Sequence, residues 1–140
     1  MRQSVIGLIN RQADLICCGE TDTVAATASL VGERQPNLVL LDLRLKDGDS
    51  FDLVAALGVQ FPKLPVLILS QCDSAIDAEA VLRRGAKGYV LKAEGPEELL
   101  AAIRSVLLGN LYVSRDMTAR LLRRLLGRDA ATTDPAGRDR

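Results

Sequence analysis

"LVLLDLRLKDGDS", residues 38–50, runs from unbroken apolar residues into a burst of charge. A continuous apolar run of this kind suits a strand in a sheet covered on both faces. Asp42 stands where the run stops, at the carboxyl end of the strand expected over 37–42. Two more stretches repeat the pattern. "PVLILS" (65–70) closes on Ser70, and "GYVLK" (88–92) closes on Lys92. A fourth apolar stretch, "LICCGE" (15–20), reads as another short buried strand.

Helical spacing fills the intervals. Residues 2–12 suit a short helix. A second helix starts from a cap at Thr21 or Asp22, carries Val24, Ala28 and Val31 on one face, and ends at Pro36. Residues 50–61 place Phe51, Val54, Leu57 and Phe61 on one side, and residues 74–84 form a helix that stops at Gly85. Over 96–108, Pro96 suits a first helical position, Glu97 and Glu98 face the positive helix end, and Gly109 marks the stop. Strict alternation of strand and helix argues for an α/β fold, a parallel sheet with helices on both faces.

A further helix follows, capped by Ser114, with Met117, Leu121, Leu122 and Leu125 as its apolar face. Arg115, Arg120, Arg123, Arg124 and Arg128 read as its solvated face. From residue 129 the composition turns to Ala, Thr, Asp, Pro and Gly, which suits a disordered tail or linker. The expected organisation is one α/β domain over 1–113, an amphipathic helix over 114–128 and a tail over 129–140.

Composition narrows the function classes. The 140 residues suffice for one domain with a real core, and 3% aromatic content leaves that core to Leu, Val, Ile and Ala. Eighteen basic and 18 acidic residues create no global field for nucleic acid or membrane. No apolar run approaches the ~20 residues of a membrane helix, and the start shows no signal-peptide pattern. A cytoplasmic setting is expected. Cys17, Cys18 and Cys72 form no CxxC pair and read as small buried side chains. The absence of His excludes a Ser-His-Asp triad, a histidine-ligated metal and a histidine phosphodonor within these residues.

In open α/β sheets, sites form at the carboxyl ends of strands. Asp42, Ser70 and Lys92 each occupy such an end, so three polar side chains converge on one edge of the sheet. A carboxylate can attack phosphorus and hold the group as an acyl phosphate. Such a transfer needs the phosphoryl charge neutralised and oriented. Lys92 supplies a cation, Ser70 a hydroxyl donor, and Mg²⁺ commonly joins such sites through carboxylates and phosphate oxygens. Taken singly, the Asp is an ordinary cap, the Ser a turn former and the Lys a first solvated residue. Their occurrence at three matching strand ends is what carries weight.

"LVLLDLRLKDGDSFDL", "PVLILS" and "GAKGYVLKAEGPEELLAAI" resemble response-regulator receiver domains of two-component signalling. The subfamily resembled carries a C-terminal LuxR-type helix-turn-helix, and the likeness covers roughly residues 3 to 126. The resemblance implies a flavodoxin-like three-layer α/β/α fold with an extra C-terminal helix. It implies Asp42 as phosphoacceptor, Ser70 and Lys92 as phosphoryl-stabilising groups and Tyr89 as the switch aromatic. It implies Mg²⁺, with the Asp42 carboxylate and the main-chain carbonyl of Arg44 as ligands. The implied partner is a sensor histidine kinase, and a homodimer is allowed. The implied role is a switch module, not an enzyme, with no direct DNA binding expected from these residues.

One departure is structural. The family begins with a strand ending in an acidic pair that helps hold Mg²⁺, whereas this sequence starts inside what would be the first helix. In the strand order 2-1-3-4-5, the missing strand lies between 15–20 and 37–42. Three outcomes follow: those two strands pair directly, another chain fills the slot, or the natural protein starts earlier. The departure also keeps a competing function open, a degenerate receiver that acts as an interaction or dimerisation module without phosphate. An Asp-nucleophile phosphatase is disfavoured, because Arg44 stands where the second Asp of a DxD pattern would be. A dinucleotide-binding domain lacks its G-x-G-x-x-G.

Overall fold

The computed structural model of the chain describes residues 2–43 and 49–133. The four strands found there form one parallel sheet: β1 (Val39–Asp42), β2 (Val66–Ser70), β3 (Gly88–Leu91) and β4 (Tyr112–Val113), side by side in that order. Six helices accompany them: α1 (Arg2–Asn10), α2 (Val24–Arg34), α3 (Ser50–Gln60), α4 (Ala75–Arg83), α5 (Pro96–Leu107) and α6 (Arg115–Thr133).

Side chains alternate across the sheet and build two cores. Leu67, Leu69 and Val90 pack with Leu99, Ala102, Ile103 and Val106 of α5, and α1 adds Val5, Leu8 and Ile9. On the other face Leu41, Val66, Ile68 and Tyr89 meet Val31 of α2, Leu53, Val54 and Leu57 of α3, and Ala78 and Val81 of α4. The result is the expected three-layer α/β/α arrangement. β2 is buried at all five positions, as its continuous apolar sequence requires.

Local signals set the helix ends. The Thr23 side chain accepts from the Ala26 amide at 3.2 Å, so Thr23, not Thr21 or Asp22, caps α2. Asp49 caps α3 through the Phe51 amide at 2.8 Å, and Ser74 caps α4 through the Asp77 amide at 3.1 Å. Ser114 caps α6 as expected, accepting from the Met117 amide at 3.1 Å. Gly88 has a different duty. A Cβ there would stand 2.6 Å from Leu67 Cδ1 and 2.9 Å from the Tyr112 carbonyl, so β3 fits between its neighbours only with glycine.

Two expectations about strands are corrected. Residues 15–20 form neither helix nor strand and belong to no sheet. A strand needs a ladder partner, and β1 is paired on its β2 side alone. Side chains serve that segment instead: Asn10 Oδ1 accepts from the Cys17 amide at 2.8 Å, and Arg34 donates to the Cys18 carbonyl at 3.1 Å. Cys18 is consequently exposed and Cys17 half-buried, and Cys72, in the loop after β2, is exposed as well, so none of the three lies in a core. The fourth strand is Tyr112–Val113, which pairs with β3 in parallel at the opposite edge. The sequence "YVS" reads as a connector because two residues are too few to show a period.

The last helix is also revised. It runs to Thr133, past the end expected at 128, while residues 134–140 lie outside the described residues. Its docked face carries Met117, 3% exposed, with Leu121 packed beside it. Leu122 and Leu125 point outward instead, at 53% and 46% exposure. Arg120 and Arg124 are not merely solvated. Arg120 Nη1 lies 2.5 Å from Asp73 Oδ1, and Arg124 Nε lies 3.0 Å from Glu79 Oε1. Acidic groups on and before α4 thus set the rotation of α6.

Candidate functional site

The parallel register places the three strand-end residues in a staircase. Asp42 pairs with Leu69, so Ser70 lies one step further along β2. Ser70 pairs with Leu91, so Lys92 lies one step beyond that on the third strand's exit. Three residues distant in sequence thereby stand at neighbouring strand ends on one edge of the sheet.

Lys92 Nζ donates to Asp42 Oδ2 at 2.6 Å. The lysine side chain is only 8% exposed, whereas the aspartate is 38% exposed. The cation is held from below, and the carboxylate keeps an open side toward solvent. Lys92 opens a short 3₁₀ turn over Lys92–Glu94. Glu94 Oε1 accepts from the Leu91 amide at 2.9 Å and closes that turn. Gly95 then takes φ +92°, a conformation that side chains rarely adopt, and leads into α5. Glu94 is therefore a positioning residue for Lys92 that the sequence reading missed. Its spacing from Leu91 is the capping-box spacing, which could have revealed it.

Ser70 is buried, at 3% exposure. Its hydroxyl accepts from the Cys72 amide at 3.0 Å and reaches the Cys72 carbonyl at 3.4 Å. The Tyr89 hydroxyl donates to the same Cys72 carbonyl at 2.5 Å. Ser70 and Tyr89 thus converge on one peptide unit in the loop between β2 and α4. Burial pushes the Tyr89 phenol above its usual value. Ser50 adds an unexpected anchor: its buried hydroxyl donates to the Leu43 carbonyl at 3.1 Å, tying the start of α3 to the exit of β1. Nothing in the sequence singles out Ser50, because its acceptor is a main-chain carbonyl set by the fold.

The metal ligands inferred by resemblance fare unevenly. Arg44 lies outside the described residues. Among the described residues, no three acidic, Cys or His side chains gather into a metal-binding group. One carboxylate, already neutralised by a lysine, does not by itself fit a resident Mg²⁺, which is best served by more oxygen donors.

A family model described as the response regulator receiver domain matches residues 1–104. The chain belongs to the response regulator receiver family. It is a receiver module of two-component phosphorelay signalling. The oxygen regulatory protein NreC of Staphylococcus aureus is 36% identical over 135 residues, covering 91% of this chain and 61% of NreC. The chain thus spans about three-fifths of the length of the curated relatives it matches. The receiver domain of NarL from Mycobacterium tuberculosis superposes with a TM-score of 0.73 at 27% identity, covering 78% of this chain and 88% of that one. A LuxR-family regulator from Aurantimonas sp. SI85-9A1 shares the fold at a TM-score of 0.83, with 24% identity and 89% of each chain covered.

Proposed function

We propose that Asp42 accepts the phosphoryl group of the relay. The observation that carries this reading is the contact of Lys92 Nζ with Asp42 Oδ2, 2.6 Å, beside the open face of the carboxylate. An Asp42 oxygen attacks phosphorus, the bond from phosphorus to the donor breaks, and the donor leaves with that electron pair. The donor is a sensor histidine kinase or a small acyl phosphate. Lys92 then faces the added negative charge. Ser70 exchanges its bonds to Cys72 for a phosphoryl oxygen, and Tyr89 loses its shared acceptor arrangement as that loop shifts. The chain acts as acceptor and switch, not as an enzyme turning over a separate substrate.

Organisation follows the same reading. Residues 1–113 are the receiver, and α6 (Arg115–Thr133) is a helix that communicates with an output. The setting is cytoplasmic; among the described residues no helix is long and apolar enough to cross a membrane. A second copy of the chain is a further partner, and DNA contact falls outside these residues. Mg²⁺ belongs to the reading by family resemblance, with Asp42 and the Arg44 carbonyl as this chain's ligands. The described residues do not complete such a site, so no step is assigned to the metal.

Incubation with acetyl phosphate in Mg²⁺ buffer, followed by intact mass measurement, tests the reading. The expected result is one phosphate addition, absent in Asp42→Asn. No addition to the unaltered chain would favour the competing reading, an interaction module that works without phosphate.

A further inference from the structure

The loop between β2 and α4, residues 71–74, is held from two sides. On the inner side the Cys72 carbonyl receives three donors: the Tyr89 hydroxyl at 2.5 Å, the Ser74 amide at 2.9 Å and the Ser70 hydroxyl at 3.4 Å. A carbonyl oxygen offers two lone pairs, so the longest of the three contacts is the weakest. Ser70 is therefore the donor most easily withdrawn. In return the Cys72 amide donates to the Ser70 hydroxyl at 3.0 Å and ties the loop to that side chain.

The outer side belongs to α6. Arg120 sends Nη1 to Asp73 Oδ1 at 2.5 Å and Nη2 to the Asp73 carbonyl at 3.3 Å. One planar guanidinium thus grips the side chain and the main chain of a single residue. The grip on the main chain matters because Asp73 follows Cys72 directly. The peptide that joins them carries the carbonyl held by Ser70 and Tyr89. Asp116, one turn back on α6, stands 3.8 Å from the same Nη1 and is 80% exposed, so it competes poorly. One turn further on, Arg124 Nε meets Glu79 Oε1 at 3.0 Å. That pair also docks α6, but Glu79 lies within α4 and outside the loop.

For Ser70 to serve a phosphoryl oxygen it must give up Cys72, and the loop must shift with it. The Arg120 fork opposes that shift from the far side. We infer that Arg120 is a positioning residue for phosphoryl transfer to Asp42: it holds the loop in the form that engages Ser70, so the Arg120–Asp73 contact and phosphate on Asp42 each disfavour the other. By linkage, whatever draws α6 away eases phosphorylation, and phosphorylation loosens α6. The transfer itself is unaltered. An Asp42 oxygen bonds phosphorus, the bond from phosphorus to the donor breaks, and the donor leaves with that electron pair. Arg120 touches none of those atoms. The coupling rests on Asp42 being the phosphoacceptor and supplies the regulation of that site.

The test compares Arg120→Gln with Arg124→Gln in the full chain. Arg120→Gln frees the loop in every molecule. Arg124→Gln removes an ion pair of the same helix that never reaches the loop. Two readouts are followed: hydrogen exchange at the Cys72 amide by NMR without phosphodonor, and the initial rate of phosphate addition from acetyl phosphate in Mg²⁺ buffer by intact mass. Arg120→Gln should speed both by about two- to fivefold, the span that an ion pair of this exposure supplies. Arg124→Gln should move neither. Unchanged exchange at Cys72 in Arg120→Gln would overturn the inference whether or not phosphate is taken up. So would equal effects of the two variants, which would mark a general loosening of α6. Phosphate uptake by the unaltered chain at the same rate as by Arg120→Gln would overturn the inference and leave the reading of Asp42 standing. No uptake by the unaltered chain would overturn that reading, and the inference with it.

Discussion

Lys92 Nζ sits 2.6 Å from Asp42 Oδ2 across 50 residues of sequence, and the lysine is the deeper of the two. That asymmetry makes the two halves of the pair unequal to remove. Asp42→Ala leaves a largely buried ammonium without this acceptor, so a loss of about 1–3 kcal/mol is expected. Lys92→Met leaves a partly exposed carboxylate that water can serve, so a change below about 1 kcal/mol is expected. Urea unfolding of both variants checks the order. Phosphate addition should be lost in Asp42→Ala and sharply slowed in Lys92→Met.

The buried phenol of Tyr89 gives an alkaline signature. Burial raises its pKa in the folded chain above the ordinary phenol value of about 10. A group raised on folding contributes stability that is fully present below its unfolded pKa. That contribution is lost as pH rises from there through the folded value. Thermal stability should therefore fall above about pH 10. Tyr89→Phe should flatten part of that fall while costing about 1 kcal/mol at neutral pH, through the lost bond to the Cys72 carbonyl. Melting curves of both proteins across that range give the comparison.

Among the described residues, α6 is held by buried Met117 and by two ion pairs, Arg120–Asp73 and Arg124–Glu79. Met117 is 3% exposed, whereas the side chains of the Arg120–Asp73 pair are 29% and 59% exposed. Met117→Ala should cost about 2–5 kcal/mol. Arg120→Ala should cost about 0.2–1 kcal/mol, and less at high salt. Denaturation at low and high ionic strength separates the two; an equal salt response would refute the assignment.

Gly88 should tolerate no side chain. Its missing Cβ would meet Leu67 at 2.6 Å and the Tyr112 carbonyl at 2.9 Å. Leu67 could shift, but the carbonyl belongs to the neighbouring strand. Gly88→Ala is expected to loosen β4 and to destabilise by about 1–3 kcal/mol, as overpacking does. Faster amide exchange at Tyr112, whose amide donates to the Lys87 carbonyl at 2.9 Å, would localise the effect.

How far the sequence could be read follows from where each interaction is encoded. The runs ending at Asp42, Ser70 and Lys92 announced three strands, because a strand covered on both faces must be apolar throughout. The alternation with helices announced the layers, and the strand-end rule placed the three polar residues together. The stretch 15–20 has equally apolar residues, yet it forms no strand. Its composition is local, but a ladder needs a neighbour. Tyr112 and Val113 show the converse: a strand of two residues has no readable period, and it forms because the edge of β3 stands open beside it.

The sequence by itself determined the α/β layering, the family and the residues that crowd one sheet edge. It did so because hydrophobic period and strand-end chemistry are written in consecutive residues. Only the tertiary structure decided that Lys92 is buried beneath Asp42 and that Ser70 and Tyr89 share the Cys72 carbonyl. It also decided that Arg120 and Arg124 pair with Asp73 and Glu79, before and on α4. Those are distances between residues far apart in the chain, and packing alone sets them.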